Sequence, residues 1–261
     1  MERHRPASAT AALVFSLILC PSGAAAESLI VAVAANMMPV MEVLKKDFRA
    51  QTGADLVLVS GSSGKFAAQI REGAPFDAFI SADTEYPEQL AADGHADGAP
   101  VLYAYGNLVL WTLRDLDVAK GFALVDAASK IAVADPKVAP YGRAAVAALK
   151  AAGVYEVAGP KLVYGEAISQ VNSFVTTKAA DFGLTAKSVV LAPKTKGLGR
   201  WADVDPKLYE PIAQSFIILQ KGAKNNPGLC RRFTAFMAGP EARAALTRLG
   251  YRLPAASPAD I

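Results

Sequence analysis

The chain is short of the residues that perform covalent chemistry or hold metals. It has 2 cysteines and 2 histidines among 261 residues, and Cys20 and His4 both fall within residues 1–26. Beyond residue 26 only Cys230 and His95 remain. A single cysteine forms no intramolecular disulfide, and one histidine with one cysteine supports neither a His-based metal centre nor a Ser-His-Asp triad. Cys230 falls in an apolar stretch of helical spacing and reads as a small core residue. His95 lies in a Gly/Asp-rich stretch and reads as an exposed loop residue. An excess of one charge is also missing: 27 basic residues face 24 acidic ones, for a net charge of +3. With no basic stripe interleaved with aromatics, a nucleic-acid surface is not indicated. No apolar run reaches the roughly 20 residues that span a bilayer. There is no repeat of solenoid period and no low-complexity segment.

What is present begins with a leader. Arg3 and Arg5 form a positive segment, Ala11 to Cys20 is apolar, Pro21-Ser22-Gly23 breaks it, and Ala24-Ala25-Ala26 offers small residues for cleavage. This order predicts a secretory signal peptide over residues 1–26, a mature start near Glu27, and export out of the cytoplasm. Leu19 stands before Cys20 where a lipoprotein signal needs a small residue, which argues against a lipid anchor. The remaining chain suits one large or two medium domains with a proper core.

The most informative stretch is Val57-Leu58-Val59-Ser60-Gly61-Ser62-Ser63-Gly64-Lys65-Phe66. An apolar run ends in small hydroxyl and glycine residues, and a helix carrying Phe66 and Ile70 on one face follows. Ser62 and Ser63 can cap that helix or offer O–H donors outward. The first N–H groups of a helix lack intrahelical partners and lie at the positive end of its dipole, so the turn is a candidate anion cradle. It is not a nucleotide-binding P-loop, because Phe66 follows Gly64-Lys65 where Ser or Thr is required.

The same grammar recurs. Leu29 to Ala34 reads as a buried strand, followed by Asn36 at a helix start, with Met37, Val40, Met41, Leu44 and Phe48 on one face and Gly53 as the stop. Phe76 to Ile80 reads as a strand before a helix near 85–92. Ile131 to Ala134 reads as a strand before Pro140-Tyr141-Gly142 and a helix, and Leu162 to Tyr164 as a strand before Ile168 and an amphipathic helix. Leu108 to Leu113, Phe182 to Thr185 and Ile217 to Leu219 read as further strands, and helices are predicted over 226–238 and 240–249. Strand–helix alternation implies right-handed crossovers and parallel sheets, whose ligands lie beyond the C-terminal strand ends.

Asn36, Ser63, Tyr141 and Ile168 therefore all stand at strand-to-helix turns, two in an N-terminal unit and two in a middle unit. Taken singly, each has a bland reading: caps for Asn36 and Ser63, a surface ring for Tyr141, core for Ile168. Taken together they suit a cleft holding a small dianion through neutral donors. Such a site disfavours hydrogen phosphate, whose proton finds no acceptor, at a cost of about 1–3 kcal/mol. The physics stops at a fully ionised tetrahedral oxyanion.

At these residues the chain resembles the periplasmic molybdate-binding proteins of ABC importers. The likeness runs from about Leu29 to Leu253. It rests on Val33-Ala34-Ala35-Asn36, on Ser60-Gly61-Ser62-Ser63-Gly64 and on Gly73-Ala74-Pro75-Phe76-Asp77-Ala78-Phe79-Ile80-Ser81-Ala82-Asp83. Asp135-Pro136 with Ala139-Pro140-Tyr141-Gly142, and Tyr209-Glu210-Pro211-Ile212, complete it. The resemblance implies an α/β, two-domain periplasmic-binding-protein fold of type II, each domain a mainly parallel sheet flanked by helices, with the ligand cleft between them. It implies residues 27–106 with 215–261 as one domain and 107–214 as the other, crossings near Gly106-Asn107 and Pro211–Gln214, and C-terminal helices packed on the first domain.

It also implies a monomer that binds molybdate, and tungstate with it, wholly through hydrogen bonds and delivers it to an ABC permease. No catalytic residue and no cofactor is expected, nor any metal beyond that of the anion. Carried over by position, Ser63 gives O–H and N–H, Asn36 its N–H and a side-chain amide in place of a common Ser, and Tyr141 and Ile168 their N–H groups. Ala186 stands where many members have a tyrosine that reaches the anion, which leaves the fifth donor and the preference over sulfate open. The competing functions are a binder of sulfate or another tetrahedral oxyanion, a secreted hydrolase using Ser63 with Lys65, and the effector half of a transcription regulator. The last would need a helix-turn-helix where residues 1–26 read as a signal.

Overall fold

A computed structural model describes residues 27–255, so the leader expected over residues 1–26 lies outside the described residues. The first lobe is built from β1 (Ser28–Ala34), α1 (Met38–Thr52), β2 (Asp55–Gly61), α2 (Ser63–Arg71), β3 (Ala78–Ile80), α3 (Glu85–Ala92) and β4 (Val101–Gly106). The second lobe follows with β5 (Leu108–Thr112), α4 (Leu124–Ala127), β6 (Ile131–Ala134), α5 (Pro140–Ala151), α6 (Tyr155–Ala158) and β7 (Leu162–Gly165). It continues through α7 (Ile168–Thr176), β8 (Phe182–Ala186), α8 (Lys187–Leu191) and β9 (Arg200–Asp203). The chain then returns to the first lobe with β10 (Ile212–Ile218), α9 (Gln220–Asn225), α10 (Pro227–Ala238) and α11 (Pro240–Arg248).

Each lobe holds one five-stranded sheet, in the orders β2-β1-β3-β10-β4 and β7-β6-β8-β5-β9. The two share one plan: three parallel strands, then one that runs antiparallel to both its neighbours, then an edge strand that runs with the first three. The parallel strands are the apolar runs. β6 is buried at every position and β1 at most, as expected of strands covered by helices on both faces. α1 inserts Val40, Met41, Leu44 and Phe48 into the first core; each such side chain contributes about 1.5–3 kcal/mol by leaving water. Gly53 ends α1 at φ 73, the left-handed conformation that costs glycine least. The C-terminal helices close this core, with Phe233 and Phe236 of α10 edge-on to Phe48 at 6.0 and 5.3 Å.

The crossings between lobes are tight. Asn107 alone separates β4 from β5, and the return passes through Glu210-Pro211. Residues 212–214, read from the sequence as the end of the second domain, are instead hydrogen-bonded into the first sheet: Ile212, Ala213 and Gln214 pair with Gly106, Tyr105 and Ala104. The fully buried Gln214 interrupts the apolar pattern there, which is why periodicity alone finds only the later half of β10. Among the described residues no helix is long and apolar enough to cross a membrane.

Candidate anion-binding site

Four turns face one another between the two sheets. Asn36 follows β1, Ser63 opens α2 after β2, Tyr141 is the second residue of α5 after β6, and Ile168 opens α7 after β7. All four strands lie in the parallel part of their sheets, so the turns stand at C-terminal strand edges. The fold brings all four residues to one cavity.

The backbone explains what this cavity offers. Neighbouring amides are satisfied: Ala35 N donates to Gly61 O (2.9 Å), Met37 N to Ala34 O (2.8 Å), Gly142 N to Ala139 O (2.9 Å) and Gln170 N to Ala167 O (3.0 Å). The N–H groups of Asn36, Ser63, Tyr141 and Ile168 have no acceptor among the described residues. Ser63 Oγ accepts from Ala82 N at 2.9 Å, which orients the hydroxyl and leaves its proton free to donate. No charged side chain lines the cavity among the described residues. Its attraction for an anion comes from N–H groups and from the positive ends of α2, α5 and α7. The space it offers is ≈ 10 Å³, close to the roughly 10–15 Å³ that one water needs by the same measure.

Two of the four side chains turn away from the cavity and tie the site together. Asn36 Nδ2 donates to Gln214 Oε1 (2.9 Å) and to Tyr251 Oη (3.0 Å). Both amide protons are thereby engaged, so the sequence-based expectation of a side-chain donor at Asn36 gives way to its N–H alone. Neither does Asn36 cap α1: Met37 holds the cap position, with no side-chain bond. Tyr141 Oη accepts from Gln214 Nε2 at 3.3 Å, and a Cβ at Gly106 would fall 2.1 Å from that oxygen. Only glycine at the crossing lets the tyrosine lie over it. Tyr103 Oη donates to Gln214 Oε1 (2.9 Å). Tyr251 Oη and Ser188 Oγ donate to Asn36 O, at 2.9 and 2.7 Å. Burial pushes the Tyr141 and Tyr103 phenols well above their usual range and Tyr251 up to about 12; all three act as neutral hydrogen-bonding groups.

Sequence reasoning missed Gln214, Tyr103, Tyr251 and Ser188, because partners 63 to 215 residues apart leave no local pattern. Ala186 is fully buried at the end of β8 and is not part of the cavity lining. Lys65, considered beside Ser63 as a hydrolytic pair, is instead ion-paired to Glu166 at an exposed rim. Cys230 is buried in α10, where burial and then Asp77 and Asp97 push its thiol up to about 11, so it is a poor nucleophile.

Several bonds join the lobes across the cleft. Gly64 N donates to Val138 O (2.9 Å), Tyr86 Oη to Lys137 O (3.4 Å) and Asn107 Nδ2 to Gly250 O (2.6 Å). Arg143 of α5 pairs with Asp83 and, at 3.5 Å, with Glu85. Burial raises the Asp83 carboxyl above its usual value, against the lowering pull of Ser81 and Arg143. Burial lowers the Arg143 guanidinium, but Asp83 outweighs it and the net direction is up.

Comparison with known proteins gives this geometry a context. Residues 29–252 match the family model described as bacterial extracellular solute-binding protein. The chain is 39% identical to molybdate-binding protein ModA of Rhodobacter capsulatus over 94% of this chain and 95% of that one. The solved periplasmic molybdate-binding protein of Azotobacter vinelandii superposes with a TM-score of 0.81 at 33% identity, covering 87% of this chain and 100% of that one. The sulfate-binding protein SubI of Mycobacterium tuberculosis H37Rv shares the fold at a TM-score of 0.68 and 13% identity, covering 90% of this chain and 88% of that one. With its two lobes and donor-lined cleft, the chain belongs to the bacterial extracellular solute-binding protein family, in the branch that holds the molybdate-binding proteins.

Proposed function

We propose that this protein captures molybdate, and tungstate with it, in the periplasm and hands it to an ABC permease, working as a monomer without a cofactor. The observation that carries the reading is the set of four unpartnered N–H groups around an uncharged cavity, in a chain similar to proteins named for molybdate binding. Asn36, Ser63, Tyr141 and Ile168 each give an N–H to the anion, and Ser63 adds its hydroxyl. Charge-assisted bonds of about 1.5–3 kcal/mol each offset the loss of the anion's hydration when they are held in place beforehand. Donors without a facing carboxylate favour an anion that carries no proton. The comparisons point to transport rather than catalysis, because the relatives are named for binding.

A thermal-shift series with molybdate, tungstate, sulfate, phosphate and vanadate at equal concentration tests this. An anion at about a thousand times its dissociation constant adds roughly 4 kcal/mol, a rise of roughly 8–16 °C for a chain of this size. A large rise with molybdate and tungstate only is expected, and Ser63→Ala shrinks it. The absence of a tyrosine at Ala186 favours sulfate as the second reading. Competition between sulfate and molybdate in calorimetry separates the two, and no rise with any of the five anions overturns both.

A further inference from the structure

We propose that Ser62 is a further anion-binding residue of this site, its hydroxyl donating to the same tetrahedral oxyanion; this rests on the oxyanion reading above. Ser62 is 3% exposed and lines the same cavity as Ser63. Its Oγ is the one buried side-chain oxygen or nitrogen without a hydrogen-bond partner among the described residues. A hydroxyl shut away from water without a partner is unfavourable by a factor of about ten or more in the folding equilibrium, so the position calls for an occupant that the protein itself does not supply.

The ordinary alternative is a helix cap. Ser62 holds the cap position of α2, with an extended backbone at φ -87 and ψ 150, yet makes no cap bond. One of the two amides that a capping hydroxyl serves is already taken, because Gly64 N donates across the cleft to Val138 O. The serine therefore has the backbone of a cap while its oxygen remains unspent beside the cavity. Ser62 and Ser63 together give one turn two hydroxyls beside the Ser63 N–H, which weights anion capture toward the first lobe.

Calorimetric titration with sodium molybdate of the wild type, Ser62→Ala and Ser62→Gly, together with melting of each protein free of anion, tests the assignment. Both variants are expected to bind about 10- to 100-fold more weakly, the loss of one charge-assisted bond. The anion-free melting temperature of Ser62→Ala is expected to stay level or rise, because no bond within the protein is lost. Affinity within twofold of wild type in either variant, or an anion-free melting temperature of Ser62→Ala several degrees lower, overturns the assignment in favour of a cap or a packing role. A wild type that binds neither molybdate nor tungstate overturns the oxyanion reading itself, and the Ser62 assignment falls with it.

Discussion

Asn36 separates two roles that a residue can hold at one site. Its N–H faces the cavity without an acceptor, while its amide holds Gln214 and Tyr251, both in the first lobe. Removing the side chain leaves that N–H in place and leaves a buried glutamine oxygen with one fewer partner. Asn36→Ala is therefore expected to lower stability by about 1–3 kcal/mol, read as a shift in urea midpoint, while molybdate affinity changes by less than about threefold. A tenfold loss of affinity at unchanged stability would return the amide to the anion. Ser63 contrasts with it: there the hydroxyl is braced by Ala82 N and keeps its proton free to donate. Residue type at a turn suggested donors at both positions, and only the packing around each shows which proton is free.

The elements that carry the site were legible because physics repeats there: an apolar strand, a small-residue turn, then a helix. β1, β6 and β7, with the helices α1, α5 and α7 that follow them, stand where the pattern puts them. β4, β9 and the start of β10 were not legible. β9 reads Arg-Trp-Ala-Asp along a sheet edge, where charged ends protect against pairing with other chains. β4 exposes Val101 and Leu102 and so lacks the alternation of a half-buried strand. β10 buries Gln214 for the sake of the hydrogen-bond network rather than the core. The start of α5 shows how closely such an element is held. A Cβ at Gly142 would lie 2.2 Å from Ala134 O, a backbone atom at the end of β6 that cannot step aside cheaply. Gly142→Ala is expected to cost about 1–3 kcal/mol through overpacking, despite the better helix propensity of alanine. Because Tyr141 sits one residue earlier, its N–H would move with the helix start. Chemical denaturation and molybdate titration of the same variant should worsen together; a variant as stable as wild type would mean that the helix start yields without strain.

At the scale of the molecule, capture depends on two lobes meeting, and Gly64 lies where they touch. Its N–H donates to Val138 O of the second lobe, and a Cβ there would meet Tyr86 Oη at 2.6 Å and Val138 Cα at 3.0 Å. The tyrosine tip can swing, but the backbone of Val138 cannot retreat without parting the lobes. The exposed Lys65–Glu166 pair beside it contributes at most about 1 kcal/mol and does not offset that. On the expectation that the lobes part at this contact when no anion is bound, alanine near the start of α2 is then better tolerated than glycine. Gly64→Ala should therefore leave anion-free melting unchanged or slightly raised, while it lowers the fraction of molecules able to close. Apparent affinity falls in proportion to that fraction, so a tenfold loss corresponds to about 1.4 kcal/mol of added closure cost. Small-angle scattering with saturating molybdate should show a compaction equal to that of wild type, reached only at higher anion concentration. If anion-free stability falls along with affinity, the glycine serves the fold of α2 itself; if neither changes, the lobes close with slack at this point and the limiting contact lies elsewhere, with the Arg143–Asp83 pair next in line.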